Sequence, residues 1–325
     1  VAPPLPEVSV VVASHDREDR LAILLDALAV QTLPRERWEL VVAHTYAADV
    51  AERVLGSHEL AGAGVLRQVQ VDPAAARPSV QRNAGLEEAR APIVAFTDDD
   101  CRPVADWLER LLVRARAEPG AIVQGATRPD PLDLERIGSP LYLRTVWAPD
   151  PPGEFTQTCN ILYERALLDR VGGFDERAIT GEDMDLALRA QEAGARLVGA
   201  ADALVYHAAE AVTFAEKLRA NDKWQHLAYV VKKHPRLRAR CTLRVFWTEE
   251  HALAALALAG LAGSTRWRPA ALAVLPYYLH ESTHFGGAPR ERLRAVRRLP
   301  QLWAVEIAEI GVFVRGSVRY RTVLL

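Results

Sequence analysis

Cysteine is scarce in this chain: three residues among 325, at positions 101, 159 and 241. Their odd number and wide spacing argue against a disulfide framework and fit reduced thiols in a cytosolic protein. No two of them form a CxxC pair, which disfavours a cysteine-based zinc site. Excess charge is missing as well. Forty Lys and Arg against 42 Asp and Glu leave a net charge of -2, so no global field calls for nucleic acid or a strongly acidic partner. The N-terminal stretch has no basic segment followed by an apolar one, and no signal peptide is expected. Nor is there an unbroken apolar run of the ~20 residues needed to span a bilayer. Two shorter runs, 252–263 and 269–279, are split by Ser264-Thr265-Arg266-Trp267-Arg268. They read as buried helices, with a hairpin on a membrane surface kept open by the Arg/Trp connector. Internal repeats and low-complexity segments are also absent.

What the chain does have is a dense alternation of strand and helix signals. Half of its residues are hydrophobic, which argues against disorder. The β-branched run 8–13 precedes a polar turn, Ser14-His15-Asp16-Arg17, and then a helical pattern at 19–31 with Leu21, Leu24, Leu25 and Leu28 on one face. Strands are expected at 38–43, 65–71 and 93–97, separated by helices at 49–55 and 79–89. The alternation continues through a helix to about 117 and a strand at 121–127. A Pro- and Asp-rich segment, 128–153, reads as a mobile loop or an insertion. An extended stretch follows at 155–163, then helices at 164–171 and 183–193 and a strand at 196–205. The fold class is therefore α/β, with a parallel sheet covered by helices on both faces. Helical periodicity dominates from about 213. The expected domains are 1–211 and a mostly helical 212–325, with the boundary near Ala211.

The triplet Asp98-Asp99-Asp100 ends the apolar strand 93–97. Three adjacent carboxylates repel one another, and a divalent cation with diphosphate oxygens would balance them, since hard oxygen ligands suit Mg²⁺ or Mn²⁺. A solvated acidic turn capping the next helix is the alternative. In a doubly wound sheet, ligands sit at the carboxyl ends of the strands, where both this triplet and the Ser14-His15-Asp16 turn fall.

Six strings occur in order: VSVVVASHDRED, RNAGLEEA, IVAFTDDDCRP, GGFDE, GEDMDLALR and LVYH. Together they resemble the family-2 glycosyltransferases of the GT-A fold, bacterial and non-processive in type, over roughly residues 7–235. The resemblance implies that Asp98 and Asp100 form a DXD element for a metal and the diphosphate of a nucleotide sugar, with Asp99 a helper or part of the turn. It makes His207 the residue that completes the metal shell, and imidazole suits Mn²⁺ better than Mg²⁺. It places Arg82 against the nucleotide, and Ser14 and Asp16 in the turn that cradles the nucleoside. Asp183, beside Glu182, would be the general base, and displacement with that base opposite the leaving group inverts the anomeric centre. Simple capping at a helix start is the alternative for the two acids. Asp185 and Arg189 are expected to support the site from behind.

One departure bears on the donor. Relatives carry paired acids after the second strand, whereas this chain has Val41-Val42-Ala43-His44-Thr45-Tyr46. A UDP-sugar is the first expectation, but the nucleobase contact stays open, with His44 or Thr45 as substitutes. The Q-x-x-R-W element of processive synthases is missing, which favours transfer of a single sugar. Trp147, Phe155 and Trp224 are candidates to stack on sugars, although burial is the commoner fate of such rings. The implied function is a metal-dependent, inverting, cytoplasmic transferase. Its acceptor is an unknown saccharide, lipid-linked or small molecule, and there is room for peripheral membrane association and a homodimer. A catalytically silent scaffold of the same fold is the alternative. A nucleotidyltransferase would want a glycine-rich loop after the first strand, which SHDRED lacks.

Overall fold

Two valine-rich segments form the centre of the sheet because their side chains are apolar on both faces. In β1 (Val8–Ser14) and β2 (Trp38–His44) almost every residue is buried, the pattern of strands covered by helices on either side. The computed structural model describes residues 5–138, 140–284 and 289–325. Contacts divide the chain into two units, Val1–Ala211 and Val212–Leu325.

In the first unit, α1 (Glu18–Ala29) buries Leu21, Leu24, Leu25 and Leu28, and the chain returns through β2 to β3 (Leu66–Gln70) at the sheet edge. Helix α2 (Pro78–Glu88) then carries it back across to β4 (Ile93–Asp98), which pairs with the other side of β1. The strand order thus reverses at β1, and β1 and β4 open a crevice at their carboxyl ends. Helix α2 lies close to β1. A Cβ on Gly85 would come within 2.6 Å of Val11 Cγ1, so glycine at this position lets α2 lie this close to β1.

After β4 come β5 (Cys101–Pro103), α3 (Trp107–Ala117) and β6 (Ile122–Pro129). Helix α4 (Pro131–Ile137) and β7 (Tyr142–Arg144) lead to β8 (Ile161–Glu164), and α5 (Arg165–Val171), α6 (Glu182–Glu192) and β9 (Leu197–His207) complete the unit. The eight-stranded sheet has the order β3-β2-β1-β4-β8-β6-β9-β5. It is mixed, which corrects the expectation of a parallel sheet. β8 runs antiparallel to β4 and β6, and β5 antiparallel to β9. The connection through α4 and β7 brings the chain back into the sheet from the end at which β6 stops, and that reverses the strand. The segment 128–153 is likewise more structured than a loop, since it holds the end of β6, α4 and β7.

The second unit is helical. Helix α7 (Phe214–Asn221) opens with a capping box in which Thr213 and Glu216 satisfy each other's backbone N–H groups. Helices α8 (Leu227–Lys233), α9 (Glu249–Gly263), α10 (Leu275–His284) and α11 (Pro289–Tyr320) follow. Buried His251 on α9 places Nε2 3.1 Å from Glu309 and 3.3 Å from Glu306, both on α11, while Asn221 of α7 donates to Glu309 at 2.5 Å. This polar knot and the apolar contacts of Ala254, Ala257 and Tyr277 hold the unit together. Among the described residues no helix is long and apolar enough to cross a membrane. The two apolar runs are helical but only partly buried, which corrects the expectation of buried helices: Ala254, Ala257 and Tyr277 face inward. Leu256, Leu258, Leu261, Leu272, Leu275 and Leu279 are all exposed.

Candidate active site at the carboxyl edge of the sheet

The three aspartates leave β4 in three directions. Asp98 accepts Arg82 Nη2 at 2.7 Å, and the same guanidinium donates through Nη1 to Glu182 at 2.9 Å. Arg82 is buried and stacked near Phe174, 5.7 Å from its ring centre. Burial works against its charge, but the carboxylates of Asp98 and Glu182 outweigh that and raise its pKa further. The arginine therefore stays protonated while joining β4 to the start of α6.

Asp99 turns inward. Its Oδ2 accepts the Ser14 hydroxyl at 2.8 Å and the His15 N–H at 3.4 Å, and Oδ1 accepts Arg17 at 3.3 Å. Burial pushes its carboxyl up to about 6 although Arg17 pulls the other way. Tyr46 reinforces the same turn, with its hydroxyl 2.6 Å from Ser14 Oγ and accepting the Arg17 N–H at 3.4 Å. Asp99 and Ser14 thus clamp the β1 and β4 turns together. Asp16 instead sits at a positive φ of 51° with its carboxylate open to solvent.

Asp100 faces β9. Its Oδ2 accepts Arg17 Nη1 at 2.5 Å, whereas Oδ1 is buried and makes no hydrogen bond. Across from it, 3.3 Å away, stands His207 Nε2. The pairing of Cys101 with His207 in the β5–β9 ladder fixes this approach. His207 Nδ1 lies 3.0 Å from the Ala208 carbonyl, which takes the Nδ1 proton and leaves the Nε2 lone pair aimed at Asp100 in the neutral ring. Two acceptors then meet with no proton between them. That is what a cation requires, and the oxygen and imidazole donors fit Mn²⁺. Cys101 Sγ is near the same point, but burial raises its thiol pKa well above the usual value, so it remains protonated and is a poor ligand.

Asp183 is the second residue of α6, whose N-cap Gly181 adopts the left-handed φ of 77° that glycine tolerates. Its Oδ1 accepts the Met184 N–H at 2.8 Å. Burial, together with the neighbouring charge of Glu182, pushes its carboxyl up to about 8. Behind it, fully buried Asp185 binds Arg189 at 2.8 Å, and Arg189 donates to the carbonyls of Val171 and Gly173. Asn83 clamps the same turn, donating to Phe174 O at 3.0 Å and accepting its N–H at 2.9 Å.

Arg17 was not singled out by the sequence patterns, yet it touches two of the three aspartates. Its signal was only an arginine in the turn after β1. His44 is not free to meet a base. It is buried, with Nδ1 accepting the Tyr46 N–H at 3.2 Å and Nε2 3.1 Å from Gln68 Oε1. Thr45 is paired through its hydroxyl with His15 Nδ1 at 2.6 Å. Trp147 and Phe155 are exposed rather than buried, at 65% and 43%.

Residues 9–163 match the family described as Glycosyl transferase family 2. That segment, just under half of the chain, carries the domain of this family. This glycosyltransferase is 25% identical over 317 residues to Glycosyltransferase AglE of Haloferax volcanii, an alignment covering 94% of each chain. It is 35% identical over 161 residues to the pre-mycofactocin glycosyltransferase of Mycobacterium tuberculosis, covering 46% of this chain and 34% of the relative. The mannosyltransferase PcManGT of Pyrobaculum calidifontis, solved in complex with GDP-Man and Mn²⁺, superimposes with a TM-score of 0.57 at 20% identity, covering 99% of this chain and 89% of that one. S. aureus TarS 1-349 gives 0.53 at 16%, covering 95% and 80%. At these identities the likeness carries the fold, which is GT-A with a helical C-terminal region.

Proposed function

We propose that this glycosyltransferase moves a single sugar, with inversion, from a nucleotide sugar to an acceptor hydroxyl and depends on a divalent metal. The observation that carries the metal is the Asp100–His207 pair, two acceptors facing each other across 3.3 Å. Asp100 and His207 would hold Mn²⁺ or Mg²⁺, with Asp98 alongside on the donor. When bound, the ion supplies Lewis-acid neutralisation of the leaving diphosphate. Arg82 keeps Asp98 oriented and adds a fixed positive charge beside it. Ser14 and Asp99 hold the turn against which the nucleoside rests, and Asp16 is placed at its open side.

Asp183 takes the proton of the acceptor hydroxyl. The acceptor oxygen bonds to the anomeric carbon as the bond to the diphosphate oxygen breaks, and that electron pair leaves with the nucleoside diphosphate. Glu182, held by Arg82, keeps Asp183 in its place on the turn. A UDP-sugar remains the first donor to try, and fold neighbours solved with UDP and with GDP-Man make these two nucleotides the relevant panel. With His44 turned inward, His15 and Thr45 are left at the nucleobase end of the crevice.

Release of nucleoside diphosphate from a panel of nucleotide sugars, with Mn²⁺ and with chelator, tests the reading. Metal-dependent release that disappears in Asp100→Ala supports it. Full turnover in chelator would sink the metal's role, and a retained anomeric configuration in the product would sink the direct displacement.

A further inference from the structure

Helix α9 is built inside out. Beyond His251 in its first turn and a partly buried Leu253, its buried positions are Ala254, Ala257 and Gly260, while Leu256, Leu258 and Leu261 are exposed at 44–47%. In water the reverse is expected, because each leucine removed from solvent contributes more than an alanine. The small residues let the following segment pack closely. A Cβ on Gly260 would meet Ala273 Cβ at 2.4 Å and the Ala270 carbonyl oxygen at 2.6 Å. That 3₁₀ segment, Arg268–Val274, and α10 repeat the pattern and expose Leu272, Leu275 and Leu279. Trp267 stands exposed at 67% in the connection, flanked by exposed Arg266 and Arg268. No acidic residue lies between Glu250 and Glu281.

We propose that this hairpin is a peripheral anchor that lays its leucines into the surface of an anionic phospholipid bilayer. Outward leucines beside small inward residues suit an apolar medium on one side. The charge is complementary, since the segment carries arginines and no acid, and basic residues at the interface favour anionic headgroups. Tryptophan is the aromatic favoured at that depth. The two arginines also fix the pose. They occupy the tip, so burying it at the bilayer centre is costly. With 15 residues, α9 is only about 22 Å long, short of the ~30 Å hydrocarbon core. The hairpin therefore lies along the interface rather than crossing it. The inference goes beyond the transferase reading and does not depend on it.

Vesicle flotation of the full chain tests the anchor, using phosphatidylcholine alone and phosphatidylcholine mixed with phosphatidylglycerol, without nucleotide or acceptor. Wild type should float with the mixed vesicles and far less with the neutral ones. Arg266→Ser and Arg268→Ser should each weaken binding about fivefold, the ~1 kcal/mol of one interfacial basic residue. Leu272→Ser/Leu279→Ser should abolish binding without lowering the melting temperature. Leu256→Gln/Leu258→Gln tests the other arm, so a folding defect in one pair leaves the question answerable. A blue shift on vesicle addition that is lost in Trp267→Phe would place that ring at the interface. The proposal is overturned if wild type stays with the protein-only fraction, or if the leucine pairs bind as wild type does. It is equally overturned if light scattering shows a lipid-free dimer that the leucine substitutions dissociate, because a second copy would then cover the face.

Discussion

Asp98 and Glu182 share one guanidinium. Arg82 donates to the first at 2.7 Å and to the second at 2.9 Å, so the strand proposed to carry the donor is tied to the helix proposed to carry the base. Neither acid could be held so closely to the other without the arginine between them.

Removing that arginine should therefore be felt in both stability and rate. Arg82→Met leaves two partly buried carboxylates facing each other and is expected to cost about 3 kcal/mol, the low end for breaking a buried ion pair. Urea denaturation measures it. A double variant that adds Glu182→Gln should recover part of the loss, and no recovery would mean that the shared contact is not what stabilises the turn.

Asp100→Ala and His207→Ala should each abolish tight Mn²⁺ binding while the fold survives, since both side chains sit at strand ends rather than in the core. Calorimetry with Mn²⁺ and the preferred nucleoside diphosphate reads this directly. Unchanged affinity in both variants would remove the pair from the metal site.

For the base, Asp183→Asn should bind donor and metal nearly as wild type yet lose about 10²–10⁴-fold in turnover. Glu182→Gln should be milder, because Glu182 acts through Arg82 rather than on the acceptor. Should Glu182→Gln be the inactive variant while Asp183→Asn turns over freely, the assignment of the base is wrong.

The raised carboxyl of Asp183 gives a pH signature. An acid that the folded site keeps protonated up to about 8 is not a base at neutral pH, so kcat/KM should climb as pH rises through that value. The sign for stability is opposite. The folded state holds this proton more tightly than the unfolded chain, whose carboxyl titrates near 4, so the contribution is full below about 4 and is lost as pH rises to about 8. A rate profile flat from pH 6 to 9 would exclude Asp183 as the titrating base.

Gly85→Ala tests the packing under Arg82. Its new Cβ would press on Val11 at 2.6 Å, an overpacking expected to cost about 1–3 kcal/mol. Denaturant midpoints at unchanged slope would report it, and wild-type stability would show that α2 can lift off β1 freely.

Much of the first unit was legible because its signals are local. The runs at β1 and β2, the leucine face of α1 and the acid triplet at the end of β4 are each set by neighbours in sequence. The direction of β8 was not, since it depends on the end from which the chain re-enters the sheet after 128–153. At the site, Asp98, Asp100, Asp183 and His207 stand out as motif residues. Arg17 escaped notice because its role comes from pairing across the β1–β4 crevice, and Tyr46 because its hydroxyl reaches from beyond β2 to the turn after β1. His44 looked available as a polar residue at a strand end, and only the packing of Gln68 and the Tyr46 N–H beside it shows both ring nitrogens occupied. The leucines of α9 misled for a different reason. Composition marks a helix as apolar but does not say which side faces solvent.

The acid triplet has a corollary for how this segment can vary. Each of its three carboxylates is addressed to a different part of the chain: the first to Arg82 on α2, the second to Ser14 at the end of β1, the third to His207 on β9. It works as a three-way junction in which the order of identical residues carries the information. Inserting or deleting one residue here would leave the local composition almost untouched and yet deliver every carboxylate to the wrong partner, so the segment should accept side-chain changes at a single branch far more readily than any change in its length.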